Sequence, residues 1–413
     1  MSGFRREPLH DFVHMREKSL PPVFVGRRDI INECLTIAQK TGQHKNGIPG
    51  NTTVIQGAPG AGKTSVLGII QQRASTVGAR VVRVGNNAVE HDLPDVLKAI
   101  ACAGSYDHAH WNALWERFGI TWARRIVGDG ALEIHSYDSL RTLQKHIAPE
   151  IWTAPVIVAI DEVQRFQNAE AEARPHIQRF LQEIHDSDDV RLPITLVLAG
   201  LGDTHNVIRD MGLTHGIHPH ALGCFSLGEL NHLTTEWCAH FGIDIGRQRE
   251  RIDALMAEAE GWPRHVHWAQ RALAEALLAE GVDGRVDRLL DWDAVHRRAG
   301  ALRQGYYQHQ YSPVMASATS LTTHVISTIA GTPCHTLEDL VKTIESACEP
   351  DKESRCRLPK GYDAEAFVTH LIHSGALQHT PDGRGFSCPI PSFENYMLAR
   401  GGSCSSRVFS STR

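Results

Sequence analysis

Over the first half of the chain, short and almost wholly apolar runs alternate with stretches of helical periodicity. Thr53–Gln56, Arg80–Val84, Val156–Ile160 and Ile194–Ala199 read as strands. The last two carry so little polarity that both of their faces must be covered. Leu140, Leu143 and Ile147 share one helical face, as do Ile177, Phe180, Leu181 and Ile184. Strands separated by helices are the pattern of a parallel sheet, so an α/β core is expected from Pro21 to about Cys224. The stretch Gly104 to Glu133 is less periodic and yields no element.

After Cys224 the period is helical only. Ser226-x-x-Glu229 is a capping box opening a helix that buries Leu230, Leu233 and Trp237. A second helix carries Ile252, Leu255, Met256 and Ala259 and ends near Gly261. A third begins at Pro263 and runs through Val266, Leu273 and Leu277. Further on, a helix with Leu321, Val325 and Ile329 stops at Gly331. Thr336-x-x-Asp339 caps another, and Asp363 to Ser374 forms a third, stopped by Gly375. Ala376–Thr380, a turn at Pro381-Asp382-Gly383, and Phe386–Cys388 then read as a hairpin. Three helices followed by a hairpin is the winged-helix order. The expected organisation is an N-terminal arm (1–20), an α/β core (21–225), an all-α lid (226–290), a connecting helix (291–315), a winged-helix-like domain (316–400) and a disordered tail (401–413).

Composition narrows the function classes. The 413 residues are 42% hydrophobic and 22% charged, ordinary for globular domains, and the net charge of −5 excludes a globally basic nucleic-acid binder. Nine cysteines without a C-x-x-C pair fit reduced thiols in a cytoplasmic protein. None of the 25 histidines falls in an H-E-x-x-H pattern. No apolar run is long enough to span a bilayer, and the N-terminus lacks the apolar segment of a signal peptide.

The chemistry sits in "TVIQGAPGAGKTSVL". Gly57-Ala58-Pro59-Gly60-Ala61-Gly62-Lys63-Thr64 matches G-x-x-x-x-G-K-[ST], between a strand and a helix. Glycines let the backbone wrap closely, so that its N–H groups point at phosphate oxygens, and the helix that follows presents its positive dipole end. Lys63 is expected to reach the β- and γ-phosphates of ATP, with Ser65 beside it, and Thr64 to ligate Mg²⁺. The run Val156–Ile160 delivers Asp161 and Glu162 at its C-terminal end. On a strand placed beside the phosphate-loop strand, Asp161 becomes a metal ligand and Glu162 the general base for an attacking water.

With these two motifs the chain resembles the AAA+ ATPases, in their initiator-like and STAND-like branches, over roughly residues 21–290 and more loosely beyond. Phe24-Val25-Gly26-Arg27 looks like the box whose backbone lines the adenine pocket, so the resemblance implies ATP contacts at Phe24 and Val25. The D-E-x-Q form at Asp161-Glu162-Val163-Gln164 is similar to bacterial transposition and secretion ATPases of this type. Asp203 or Thr204 falls at the γ-phosphate-sensing position after Leu196–Gly200. Arg264, in Gly261-Trp262-Pro263-Arg264, falls at the start of the lid helix, where the resemblance implies a phosphate contact. One departure concerns the arginine finger: Arg209 is the candidate, and His215 stands where another arginine could have been.

The missing LSGGQ-like signature sets aside an ABC-type ATPase, and the missing N-K-x-D motif favours ATP over GTP. Two roles stay open. In one, ATP hydrolysis gates or remodels a DNA-associated assembly, with Lys352, Arg355, Arg357, Lys360 and Arg384 as the DNA-facing cations. In the other, the chain is an ATP-controlled oligomerisation switch acting on a separate effector protein. The acidic residues Asp363 and Glu365 on the expected groove helix speak for the latter.

Overall fold

The computed structural model describes residues 5–16, 19–43, 52–85, 96, 100, 154–169, 173–185, 193–244, 246–280, 290–331, 336–349, 356–380 and 384–400. The expected helix face of Leu140, Leu143 and Ile147, the Pro381-Asp382-Gly383 turn, Lys352, Arg355 and the 401–413 tail lie outside the described residues. In chain order the elements are α1 (Arg6–Val13), α2 (Arg28–Gln43), β1 (Thr52–Gln56), α3 (Lys63–Arg73), β2 (Arg80–Val84), β3 (Val156–Ile160), α4 (Arg174–His185), β4 (Ile194–Gly200), α5 (Thr204–Asp210) and β5 (Ile217–Ala221). They continue with α6 (Leu227–Phe241), α7 (Arg249–Ala257), α8 (Pro263–Glu280), α9 (Trp292–Gly331), α10 (Leu337–Ala347), α11 (Ala364–His373), β6 (Gln378–His379), β7 (Phe386–Ser387) and α12 (Phe393–Arg400). They form two compact units: Arg27–Gln56 with Lys63–Ala221, and Met1–Gly26 with Gly57–Gly62 and Leu222–Arg413.

The first unit is a five-stranded sheet in the order β2-β3-β4-β1-β5, parallel throughout. The four strands expected from the apolar runs are present. β3 and β4 are buried along their whole length, as their lack of polar positions requires. Val158, Leu196 and Leu198 pack with Phe166 and with the α4 face of Ile177, Phe180, Leu181 and Ile184. The strand order corrects one expectation: Asp161's strand is not beside the phosphate-loop strand, because β4 lies between them and pairs with both. The end of β4 is therefore flanked by the loop's strand on one side and the carboxylates' strand on the other.

β5 has no apolar alternation to announce it. Its Ile217-His-Pro-His-Ala221 sequence works only at the sheet edge, where Pro219 needs no outward hydrogen bond. His218 Nδ1 and His220 Nε2 lie 2.8 and 3.0 Å from the Glu33 carboxylate of α2.

In the second unit, α6, α7 and α8 form the helical lid, opened by the capping box in which Ser226 and Glu229 satisfy each other's backbone N–H groups. The polar N-terminal arm carries α1, whose Leu9, Phe12 and Val13 are buried in the lid core. The Phe12 ring sits 5.5 Å from those of both Trp237 and Phe241. The apolar positions of α1 are too few to stand out as a periodic run, which is why the arm reads as polar.

α9 breaks at Ala318 (φ −158°, ψ 45°), which separates the connecting segment from the helix carrying Leu321, Val325 and Ile329. α10, capped by Thr336 and Asp339, then α11 and the antiparallel β6–β7 hairpin follow. Phe367 and Leu371 of α11 are fully buried. This is the winged-helix arrangement, closed by α12, an element the sequence pattern did not announce.

Candidate functional site

Within the sheet unit, polar side chains gather at the C-terminal ends of β3 and β4. Thr64, in the first turn of α3, donates its hydroxyl to Asp161 Oδ2 at 2.8 Å. Arg83 Nη2 of β2 lies 4.0 Å from the same oxygen. Lys63 is buried, and that burial lowers its ammonium pKa from 10.5 to about 8, against the opposing charges of Glu162 and Asp161. One ammonium under the influence of two carboxylates leaves a surplus of negative charge, which a divalent cation at the Thr64–Asp161 pair would offset.

Glu162 adopts a left-handed backbone (φ 62°), rare for a residue with a side chain. The turn is held locally: the Glu162 N–H donates to Asp161 Oδ1 at 3.0 Å, so this carboxylate serves both Thr64 and the turn. Gln164 Nε2 donates to Glu162 Oε2 at 2.7 Å, while Gln164 Oε1 accepts the Leu201 N–H at 3.1 Å. One amide thus ties the carboxylate after β3 to the backbone after β4. Sequence reasoning quoted Gln164 within its motif without giving it this part. The link depends on β3 and β4 being neighbours, a tertiary fact.

The two sensor candidates lie on the turn after β4. The Thr204 hydroxyl donates to Leu201 O at 2.5 Å, and Asp203 accepts Asn206 Nδ2 at 2.6 Å. Arg209 is exposed in the last turn of α5, and His215 is exposed with its ring 5.3 Å from that of His185.

In the second unit, the loop Gly57–Gly62 keeps Ala58 and Ala61 buried, with the Ala61 N–H donating to Ala58 O at 3.1 Å. Pro59 and Gly60 are half-buried, and Gly60 (φ +88°) meets the start of α8 closely. A Cβ there would lie 2.8 Å from Arg264 Cβ and 3.0 Å from Trp262 Nε1, so no other residue fits. Trp262 is fully buried, and its indole N–H meets no acceptor among the described residues, which leaves a donor directed at the loop region. The Arg264 guanidinium lies 5.9 Å from the centre of the Trp268 ring and 5.8 Å from that of Tyr306. Each such contact is worth about 0.5–2 kcal/mol. Phe24 and Val25 are half-buried, and Val25 packs on the lid core. Beyond the lid, the expected cations Arg357, Lys360 and Arg384 are exposed.

The residues present fit a magnesium nucleotide. Thr64 and Asp161 supply the hard oxygen donors that Mg²⁺ takes, already hydrogen-bonded to each other. Lys63 would supply a donor for phosphate oxygens. Ser65 is half-buried in the same first turn of α3 as Thr64.

No family model and no curated protein matches the chain. Among solved structures, the Aeropyrum pernix ORC2 protein in ADPNP-ADP complexes is 15% identical, with 95% of this chain and 98% of that chain covered and a TM-score of 0.54. The ADP form of the same protein is 15% identical, with 97% and 100% covered and a TM-score of 0.56. At that identity the likeness carries the fold. The chain shares the fold of that ORC2 protein, and its own described elements give a five-stranded parallel core, a helical lid and a C-terminal winged-helix arrangement.

Proposed function

We propose that the chain binds ATP through Gly57–Thr64 and hydrolyses it, and that the nucleotide state governs an assembly on DNA. The observation that carries this reading is the Thr64–Asp161 hydrogen bond next in sequence to the buried Lys63. Hydroxyl, carboxylate and ammonium are the three groups a magnesium–phosphate complex requires, and they come from the two motifs that define the sequence. Mg²⁺, held by Thr64 and Asp161, would neutralise charge on the phosphates. Glu162 takes the proton of the attacking water, and Gln164 sets where its carboxylate points. Trp262 and Arg264 donate to phosphate oxygens from the lid, Phe24 and Val25 line the base, and Asp203 or Thr204 reads the γ-phosphate. Arg209, exposed, is the finger that a neighbouring copy would meet. The ORC2 structures hold ADPNP and ADP; the shared fold supports an adenine nucleotide here.

The DNA part of the reading rests on the winged-helix order and on exposed Arg357, Lys360 and Arg384, with Lys352 and Arg355 in the same stretch of sequence. The second reading, an ATP-controlled switch acting on an effector protein, is favoured by the acidic start of α11. There Asp363 is used as an N-cap, its Oδ1 accepting the Ala366 N–H at 2.7 Å, while Glu365 stays exposed.

The test is equilibrium binding of a fluorescent ATP analogue with Mg²⁺, followed by ATP turnover with and without duplex DNA at low salt. Lys63→Ala is expected to weaken binding more than a hundredfold; retained affinity would overturn the site. Turnover unchanged by DNA, with no DNA binding, would overturn the DNA reading and leave the switch.

A further inference from the structure

Arg264, proposed above as a phosphate contact, also sits at a junction with Trp268 and Tyr306. Its stem packs on Gly60 of the phosphate loop, while its guanidinium lies over Trp268 and Tyr306, whose rings are 4.8 Å apart. Trp268 is one turn further along the same helix, α8. Tyr306 belongs to α9, the element that leads into the winged helix.

The contacts continue without a gap. Tyr307, next to Tyr306, places its hydroxyl 2.9 Å from His265 Nε2 and donates to Pro391 O at 3.0 Å. Burial lowers the His265 pKa to about 3, so this imidazole is neutral. The Tyr307 ring lies 5.2 Å from Phe393 and 4.8 Å from Tyr396, both on α12. Arg303 of α9 reaches Glu258 O at 2.9 Å and Ser392 Oγ at 3.3 Å. Phe393 and Tyr307 are almost fully buried, so α9 and α12 share a packed interface rather than a surface touch.

We propose that Trp268 and Tyr306 form an aromatic clamp that holds Arg264 when no nucleotide is bound, and that nucleotide phosphates compete with the clamp for the guanidinium. ATP occupancy is thereby transmitted to α9 and, through Tyr307, to α12 of the winged helix. The inference rests on the reading of Arg264 as a phosphate contact and adds its competitor and its output. A guanidinium gains more from charge-assisted bonds to phosphate than from ring faces, so phosphate wins. The clamp still subtracts from nucleotide affinity, because its contact must be given up. Coupling is reciprocal: whatever loosens the clamp tightens nucleotide binding by the same factor by which nucleotide loosens the clamp. Tyr306 and Trp268 are positioning residues, acting on the nucleotide only through Arg264.

The experiment measures affinity for a non-hydrolysable ATP analogue with Mg²⁺ on the full chain, for Tyr306→Leu, Tyr306→Phe, Arg264→Ala and the Tyr306→Leu/Arg264→Ala pair. Removal of one ring face is expected to raise affinity about fivefold in Tyr306→Leu. Tyr306→Phe, which keeps the ring, stays at the wild-type value, and the Leu substitution has no effect once Arg264 is Ala. Hydrogen exchange across Phe393–Met397 is expected to quicken on adding the analogue to the wild type, and not in Tyr306→Leu. An affinity loss in Tyr306→Leu of equal size with and without Arg264 would overturn the clamp, as would exchange that ignores the analogue. If Arg264→Ala binds the analogue as the wild type does, the phosphate-contact reading itself falls, an outcome distinct from failure of the clamp.

Discussion

The ends of β3 and β4, half-buried, and the α8–α9–α12 junction, buried, are both centres of interaction, yet they are built in different ways. At the strand ends, short polar contacts join the first turn of α3 and the turns after β3 and β4: Thr64 to Asp161, Glu162 to Gln164, and Gln164 to the Leu201 N–H. At the junction the contacts are aromatic and join residues up to about ninety positions apart, from Arg264 and His265 through Tyr307 to Phe393 and Tyr396. Polar groups whose geometry is fixed to a few tenths of an ångström suit chemistry, since a misplaced base is a lost base. Aromatic faces tolerate sliding and rotation at little cost, which suits the response to nucleotide proposed for the junction.

The difference makes the two regions fail differently. Phe393→Ala removes a fully buried ring that packs 4.5 Å from Tyr311 and 5.2 Å from Tyr307, and is expected to cost about 3–5 kcal/mol of stability. Chemical denaturation followed by tryptophan fluorescence reads this. A cost below about 1 kcal/mol would mean that α12 is not part of a packed junction.

The two regions also separate by pH, on opposite sides of neutrality. Burial lowers the Lys63 pKa to about 8, and phosphates would favour its charged form, so the proposed nucleotide binding would take up a proton above that pH. Affinity is then expected to fall by about tenfold per pH unit above about 8; a flat profile to pH 9.5 would contradict it. In the other region, His265 is lowered to about 3 and His267 to about 4, both by burial, with nearby arginines adding to the effect. Between those values and the ordinary 6.5, only the unfolded chain binds the protons. Their stabilising contribution is therefore complete above pH 6.5 and is lost as pH falls toward 4 and 3. Thermal unfolding in a His265→Gln variant, flatter between pH 7 and 4.5 than in the wild type, checks the assignment.

Gln164→Leu is the smallest and sharpest test of the strand-end region. It keeps side-chain bulk and removes both hydrogen bonds, so turnover is expected to drop about tenfold with nucleotide affinity unchanged. Loss of affinity in the same proportion would mean that Gln164 supports the loop rather than the base.

How these regions could be read from sequence follows the same line. The phosphate loop, the Asp161-Glu162 strand exit and the Ser226 and Thr336 capping boxes are local patterns, each a few residues whose chemistry dictates the backbone around them. β3 and β4 were visible because burial on both faces leaves no polar position. β5 was not, since an edge strand carrying His218, Pro219 and His220 has no reason to be apolar. The placing of β4 between β1 and β3, and with it the Gln164 bridge, depends on strand order, which no local period encodes. Trp268, Tyr306 and Tyr307 look in sequence like ordinary helix-core aromatics; only the packing of α9 on α8 gives Arg264 two rings to rest on.

The central claim is that Glu162 is the base of an ATPase whose nucleotide is held by other residues. It is tested most directly by Glu162→Gln, measured side by side for binding of ATP with Mg²⁺ and for single-turnover hydrolysis. The account predicts affinity within about threefold of the wild type and hydrolysis slowed by about a hundredfold or more. Hydrolysis at the wild-type rate would contradict it.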